Sequence, residues 1–285
     1  MNTPSSIKKL KTKEKIAMLT AYDYSTARIM DAAGVDGILV GDTLGMVMLG
    51  YKNTSAVTMA EMLHHTKAVT RAVKNALVVA DMPNRSYSSV KQALKNARLL
   101  IKEGKAKAVK LEGGTEVAAQ IRALTRAKIP VMAHIGLLPQ SVKSQKGFKV
   151  QGRDLLSARK ILQDAAAVQK AGAFAVVVEC VPEKLAKIIT KTLTIPTIGI
   201  GAGKYCDGQV LVYQDMLGIY DKLHPKFVKK YADIGAAMKN VFQDYSEEVK
   251  KGIFPSREHS FDMDEKIISS LQTNRCRKKR NTNCG

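Results

Sequence analysis

The sequence predicts an α/β protein built as a closed (β/α)8 barrel, and three observations lead to this fold class. Eight short apolar segments recur along the chain, separated by stretches with helical spacing. A repeat of helix, glycine, short gap and strand is seen in DAAGVDGILVG, IKEGKAKAVKLEG and QKAGAFAVVVEC. The length of 285 residues, 45% of them hydrophobic, suits one barrel of about 250 residues. Because periodicity does not show closure, an open doubly wound sheet is the alternative.

The strands are predicted from runs of apolar and β-branched residues. In order they cover residues 17–20, 37–40, 77–80, 108–111, 131–133, 174–178, 197–200 and 210–212. Such runs are typical of parallel strands buried on both faces, because helices cover the outer face of the sheet.

The helices between the strands are predicted from apolar spacing and end signals. Thr58 and Glu61 form a capping-box pattern at the start of one amphipathic helix. A second helix follows Asp154 and stops at Gly172, which we expect to have a positive φ. Its predicted buried face consists of Leu155, Ala158, Leu162 and Ala165.

The net charge of +21 is concentrated in part at the two ends of the chain. Residues 1–15 carry +4 and residues 273–285 carry +5, which leaves +12 for the body. The basic residues are not interleaved with aromatics, Trp is absent, and no nucleic-acid-binding motif is present. We expect a lysine-rich solvated surface and no specific nucleic-acid partner. A non-catalytic polyanion-binding protein is the alternative that charge alone suggests.

The remaining composition sets the expected organisation and location. No apolar run approaches the roughly 20 residues that span a bilayer, and the N-terminus shows no signal-peptide pattern, so a cytoplasmic protein without membrane contact is expected. The four cysteines show no metal-site or disulfide spacing. We expect a basic extension over 1–15, the barrel with a C-terminal helix over 16–262, and a basic disordered tail over 263–285.

Acidic side chains follow several of the predicted strands. Asp42, Asp81, Glu112 and Glu179 each stand at or just after a strand end, and His134 follows the fifth strand. A single such acid is usually a helix cap or half of an ion pair. In a barrel, however, all these strand ends meet at one face, where four clustered carboxylates repel unless a cation or a proton intervenes. The pattern therefore predicts a metal site.

The ligand types favour magnesium or manganese over zinc, because carboxylate oxygens are hard donors and no cysteine is near. Lys110 alternates with Glu112 along its strand, so both should point to the same face. Lys110 either binds an anionic ligand such as a 2-oxo acid or forms an ion pair with one of the acids.

A series of ordered segments runs from about Ile16 to the REHSF element that ends at Phe261. The segments are VGDTLGMVMLGYKNT, VVADMPNRSY, VKLEGG, HIGLLPQS, GFKVQGRD, VVVECVP, IPTIGIGAG and KYCDGQVLVYQDMLGI. They resemble one enzyme family, ketopantoate hydroxymethyltransferase. So many ordered motifs are specific, whereas a glycine loop alone would be weak.

The resemblance implies a barrel of the phosphoenolpyruvate/pyruvate superfamily that assembles as a homodecamer. It implies transfer of a hydroxymethyl group from 5,10-methylenetetrahydrofolate to 3-methyl-2-oxobutanoate, which forms 2-dehydropantoate in pantothenate biosynthesis through a magnesium-stabilised enolate. Residue by residue, it assigns Mg2+ to Asp42, Asp81 and Glu112, the oxo acid to Asp42, Thr43, Asp81 and Lys110, and the role of general base to Glu179.

Proton abstraction from carbon fits Glu179, because burial at the end of a valine strand would raise the pKa of its carboxylate. Lys110 would hold the substrate carboxylate or share the developing charge. His134 either contacts substrate or is a structural histidine bonded to a nearby loop. Cys180 should be a buried, inert thiol. The IGIGAG loop either cradles an anion or forms a tight turn.

The chain also departs from the family pattern at four positions. Thr43 replaces Ser, Asn84 replaces Phe, Lys146 interrupts a glycine pair, and Gln214 replaces His. A related lyase with the same acids is the other enzymatic alternative, although no lyase-type cysteine motif is present.

Overall fold

The computed structural model describes residues 1–142, 149–223 and 225–271. It contains one closed barrel in which eight parallel strands pair in sequence order, and the first strand pairs with the last. The strands are β1 (Ile16–Thr20), β2 (Gly37–Val40), β3 (Leu77–Asp81), β4 (Ala108–Glu112), β5 (Val131–Gly136), β6 (Ala175–Glu179), β7 (Thr197–Ile200) and β8 (Gly208–Leu211). The predicted barrel is confirmed, and the open sheet is excluded.

Helices precede, separate and follow these strands along the chain. They are α1 (Pro4–Lys9), α2 (Tyr24–Ala32), α3 (Leu44–Val47), α4 (Met59–Ala72), α5 (Val90–Lys102), α6 (Ala118–Arg126), α7 (Leu155–Lys170), α8 (Glu183–Thr192), α9 (Tyr213–Met216) and α10 (Ile234–Lys250). Short 3-10 turns occur at Thr54–Ala56, Thr115–Val117, Pro139–Ser141 and Arg257–His259.

The alternation of side chains along each strand separates the interior of the barrel from its outer wall. Along β3, Leu77 and Val79 belong to the apolar cluster inside the barrel, whereas Val78 and Ala80 pack under the surrounding helices. The same parity turns Asp81 inward. In β3 and β4, charged side chains enter the interior from the middle of the strand to its carboxyl end, at Asp81, Lys110 and Glu112.

Local signals explain where helices begin. Thr58 caps α4 and exchanges hydrogen bonds with Glu61, as predicted. The Asp154 side chain caps α7. The predicted buried face of α7 was partly wrong, because Leu155 is 68% exposed while Ile161 and Val168 are buried. Leu155 and Leu156 are exposed, so the contact stripe of α7 begins at Ala158.

The N-terminal segment closes one end of the barrel. Ile7, on α1, is fully buried and packs with the interior cluster. The ammonium group of Lys11 donates to Asp207 at 2.8 Å and to the carbonyl of Thr190 at 3.0 Å. Part of the expected basic extension is therefore integrated into the barrel.

The chain forms two compact units, Met1–Asp233 and Ile234–Gly285. The sequence-based boundaries at residues 15 and 262 do not coincide with this division. Residues 265–271 are helical, whereas we expected disorder from 263; residues 272–285 lie outside the described residues. Within the described ranges, no helix is long and apolar enough to cross a bilayer.

Candidate active site

The register of neighbouring strands places charged side chains side by side at the carboxyl end of the barrel. Asp81 on β3 pairs with Lys110 on β4, and Glu112 on β4 pairs with His134 on β5. One strand further on, Gly136 pairs with Glu179. Gly136 has φ +93°, and an added Cβ would lie 2.3 Å from the carbonyl oxygen of Glu179, so only glycine fits there.

Asp42 joins this group from the turn after β2. Its backbone N–H donates to Asp81 Oδ2 at 3.1 Å. The Lys110 ammonium contacts Asp81 Oδ1 at 2.6 Å, and both side chains are about 95% or more buried. The structure therefore shows the ion pair that was one of the two interpretations of Lys110, and it brings all three predicted metal ligands into one pocket.

The pocket contains more negative than positive charge. Burial, followed by repulsion from Asp81, raises the pKa of Asp42 to about 7. Burial and the charge of Asp42 also raise the pKa of Glu112 well above its usual value. Burial alone would lower the pKa of Lys110, but the surrounding carboxylates, Asp81 first, raise it above its ordinary value. One lysine does not neutralise three buried acids.

His134 lies between two carboxylates. Its Nε2 is 3.3 Å from Glu179 Oε2, and its Nδ1 is 3.5 Å from Glu112 Oε1. Neither contact has the geometry of a hydrogen bond. Burial, with the charge of Lys110, lowers the pKa of His134, so the neutral ring has one N–H to offer. Among the described residues the His134 ring forms no hydrogen bond to a nearby loop, so that interpretation is not supported. Contact with substrate stays a prediction.

Thr43 stands beside the pocket and is held by a tyrosine that sequence reasoning missed. The hydroxyl groups of Tyr22 and Thr43 are 2.6 Å apart, and Tyr22 is 1% exposed. Tyr22 follows β1 by two residues, as Asp42 follows β2. This shared offset from a strand end was the signal that could have revealed it.

Gln140 is a second residue that the sequence did not reveal. It lies in the Pro139–Ser141 turn after β5 and bonds to Asp42, Glu112 and Tyr87. Both Gln140 and Tyr87 fall within segments that resemble the family, HIGLLPQS and VVADMPNRSY. Nothing in their spacing indicates contact with the acids.

The donor set fits a divalent cation in chemistry and charge. Asp42, Asp81 and Glu112 supply hard oxygen donors. Burial and mutual repulsion raise the pKa of Asp42 and of Glu112, and a bound cation would reduce that repulsion. At present each carboxylate faces a protein donor. Among residues 1–142, 149–223 and 225–271, no group of three His, Cys, Asp or Glu side chains is arranged to hold a metal ion. Mg2+ commonly binds one or two carboxylates and completes its coordination with water or substrate oxygens, so the pocket offers part of a coordination shell.

A cavity of about 410 Å3 opens next to the charged pocket. Glu179, 13% exposed at its side chain, lies on its wall. The rest of the described lining is mostly apolar and includes Met46, Val47, Val212, Tyr220, Leu223 and Phe227. A carboxylate at the boundary between a charged pocket and an apolar cavity can contact one ligand while a second lies against it.

Cys180 also lines this cavity and is half-buried, so its predicted burial was wrong. Its backbone has φ +48°, which turns it from the outer wall of the strand. Burial, with the charge of Glu179, raises the pKa of the thiol to about 12, which favours an unreactive group. In the IGIGAG loop, Gly201 and Gly203 have positive φ, as a tight turn requires.

The sequence matches the family model of ketopantoate hydroxymethyltransferase over residues 1–257. The chain belongs to this family. A relative from Clostridium novyi, named 3-methyl-2-oxobutanoate hydroxymethyltransferase, is 60% identical over 272 residues, 95% of this chain and 99% of the relative. A relative of the same name from Enterococcus faecalis is 59% identical with the same coverage. The resemblance seen in the sequence, and the enzyme class that it implied, are confirmed.

Solved structures share the fold at low identity. Phosphoenolpyruvate phosphomutase from Streptomyces platensis is 17% identical, with a TM-score of 0.60 and full coverage of both chains. A 2,3-dimethylmalate lyase, a member of the PEP mutase/isocitrate lyase superfamily, is 14% identical, with a TM-score of 0.60 over 100% of this chain and 99% of its own. These likenesses concern the fold, and they agree with the predicted barrel type.

Members of the ketopantoate hydroxymethyltransferase family align with almost the whole chain, so the departures from its pattern are local. Asn84 is half-buried after β3. Gln214 is buried, and its amide nitrogen lies 3.2 Å from the sulfur of Met48. Lys146 lies outside the described residues. None of the described departures replaces an acid of the pocket.

Proposed function

We propose that this chain transfers a hydroxymethyl group from 5,10-methylenetetrahydrofolate to 3-methyl-2-oxobutanoate, forming 2-dehydropantoate for pantothenate biosynthesis. Its relatives carry the name of this activity at about 60% identity over almost their full length. The observation that carries the mechanism is the position of Glu179, beside a charged pocket and on the wall of an apolar cavity.

In this proposal the charged pocket binds the oxo acid. Lys110 pairs with the substrate carboxylate or with the developing negative charge, and Thr43, oriented by Tyr22, donates a hydrogen bond. Asp42, Asp81 and Glu112 would hold Mg2+. When bound, Mg2+ supplies positive charge that stabilises the oxyanion of the deprotonated oxo acid.

Glu179 is the proposed general base. Its carboxylate takes the proton from C3 of the oxo acid, and the electron pair left on carbon forms the new bond to the methylene carbon of the folate. The two C–N bonds of that carbon break, with their electron pairs passing to the folate nitrogens, and water supplies the hydroxyl group, so that 2-dehydropantoate and tetrahydrofolate are released. His134 lies 3.3 Å from Glu179 and is neutral, so it faces the carboxylate without a charge. A neutral ring leaves Glu179 free to accept a proton, because it does not hold the carboxylate in a charged pair.

The folate is proposed to lie in the apolar cavity, so that its methylene carbon faces the pocket. A cavity of about 410 Å3 with apolar walls suits a flat heterocycle. By family resemblance we further propose a cytoplasmic homodecamer. Sedimentation of the purified protein would test that assembly.

The proposed activity is tested with purified protein, 3-methyl-2-oxobutanoate and methylenetetrahydrofolate. Formation of 2-dehydropantoate, followed by mass spectrometry, should require both substrates and should stop with EDTA and return with Mg2+. A folded protein that makes no product at saturating substrates would contradict the function. Product that forms equally well with EDTA would contradict the metal role alone.

A further inference from the structure

Gln140 makes the most connections of any uncharged side chain in the pocket region described above. It is 8% exposed, in a short turn that begins with Pro139. Its backbone N–H donates to Glu112 Oε2 at 3.0 Å. Its side-chain Nε2 donates to Asp42 Oδ2 at 2.8 Å and to the carbonyl of Met82 at 3.0 Å. One residue therefore touches carboxylates from two different strand ends.

The orientation of the Gln140 amide is fixed by its neighbours. Nε2 faces two acceptors, Asp42 and Met82, so it must be the nitrogen that points there. Oε1 accepts from the hydroxyl of Tyr87 at 2.6 Å. The Tyr87 hydroxyl in turn accepts from the backbone N–H of Glu112 at 3.3 Å. If Tyr87 lost its hydroxyl, the amide would lose the donor that holds it in this orientation.

We propose that Gln140 and Tyr87 are positioning residues that set the Asp42 and Glu112 carboxylates for divalent-cation binding. This role rests on the proposed function, in which those carboxylates bind the cation. Gln140 holds one carboxylate with its backbone and the other with its side chain, so a single turn controls both. Residues that orient metal ligands in this way typically alter metal affinity by about 10- to 100-fold when they are removed.

The geometry predicts a graded series of variants. Gln140→Met keeps the length of the side chain and the backbone bond to Glu112, but it removes both amide contacts. Tyr87→Phe keeps the ring and the Gln140 amide, and it removes only the hydroxyl. We expect the Mn2+ dissociation constant to rise about 10- to 100-fold in Gln140→Met and by a smaller factor in Tyr87→Phe.

A matched control is available on α6. Gln120 donates from its Nε2 to the backbone carbonyl of Tyr87 at 3.2 Å and is half-buried. The change Gln120→Met therefore removes a glutamine contact in the same neighbourhood. It should leave the Mn2+ dissociation constant unchanged.

The experiment measures free Mn2+ by electron paramagnetic resonance while the metal-free full-length chain is titrated without substrate. Thermal melts of each metal-free variant check folding. High Mg2+ should restore product formation in Gln140→Met, because weak binding is overcome by concentration, whereas Gln120→Met should need no rescue. A purely structural role would lower the melting temperature without such rescue.

The outcomes distinguish failure of the positioning role from failure of the proposed function. An unchanged Mn2+ dissociation constant in folded Gln140→Met would overturn the positioning role while product formation by the unaltered chain still stood. If Gln140→Met does not fold, an unchanged constant in Tyr87→Phe overturns it. Absence of Mn2+ binding to the unaltered chain would overturn both the metal role and the positioning role.

Discussion

The inward-facing positions of the strands are apolar at one end of the barrel and charged at the other. At the amino ends of the strands, Ile7 and its neighbours form an apolar floor. At the carboxyl ends, the next inward positions are Asp81, Lys110 and Glu112, which are nearly as buried but charged. Burying an isoleucine side chain stabilises the fold by about 1.5–3 kcal/mol, whereas burying repelling carboxylates destabilises it. The comparison indicates that the floor stabilises a barrel whose opposite end is organised for chemistry.

The largest expected effect is at the charged end. Glu179→Gln keeps the shape but accepts no proton, so exchange of the C3 hydrogen with deuterated water should fall roughly 10²- to 10⁴-fold. NMR of the substrate, beside a thermal melt, measures both properties. Exposed Glu183, changed to Gln, is the control. Exchange near the normal rate in Glu179→Gln would move the search for the base to His134.

A substitution in the apolar floor should lower stability and leave catalysis unchanged. Ile7→Ala removes a buried side chain, and we expect the free energy of unfolding to fall by about 2–5 kcal/mol. The rate per folded molecule should stay the same. Ile29, 64% exposed on α2, offers the matched change to Ala, with an expected effect within about 0.5 kcal/mol. Loss of activity in the folded Ile7→Ala variant would contradict the inference that the floor contributes to stability and not to catalysis.

A pH series tests the raised pKa of Asp42. Its ordinary value is 3.8 and its folded value is about 7, so the folded state binds the proton more tightly. This stabilisation is present below about pH 4 and is lost as the pH rises to 7. A cation competes with that proton, so Mn2+ affinity should rise about fivefold between pH 6 and 7. Mn2+ titrations at both pH values measure this change. The same dissociation constant at pH 6 and pH 7 would contradict the raised pKa.

The smallest functional effect is expected from the C-terminal residues. Deleting residues 272–285 removes five basic side chains, so the protein should elute from heparin at lower salt. Product formation should be unchanged. A full-length variant with the same five residues changed to Gln should match the deletion in elution. A large loss of activity would show that these residues contribute to the enzyme.

The sequence predicted those features that depend on regular alternation. Every strand was located within a few residues, and Lys110 and Glu112 point the same way because they are two apart on one strand. The acids were grouped because strand ends converge in a barrel. The contact between Gln140 and Asp42 could not be predicted, since it joins residues 98 positions apart through an irregular turn. The buried floor was also missed, because Ile7 lies among lysines that suggest solvent.

Barrel closure also has a consequence for synthesis of the chain on the ribosome. β1 ends at Thr20, but its second partner, β8, begins only at Gly208. At about 5–20 residues per second, β1 waits roughly 10–40 s before that partner is made. During this time its outer edge has unpaired backbone groups. The nascent protein therefore has an open sheet edge until nearly the whole barrel has been translated, a period in which chaperones can act on it.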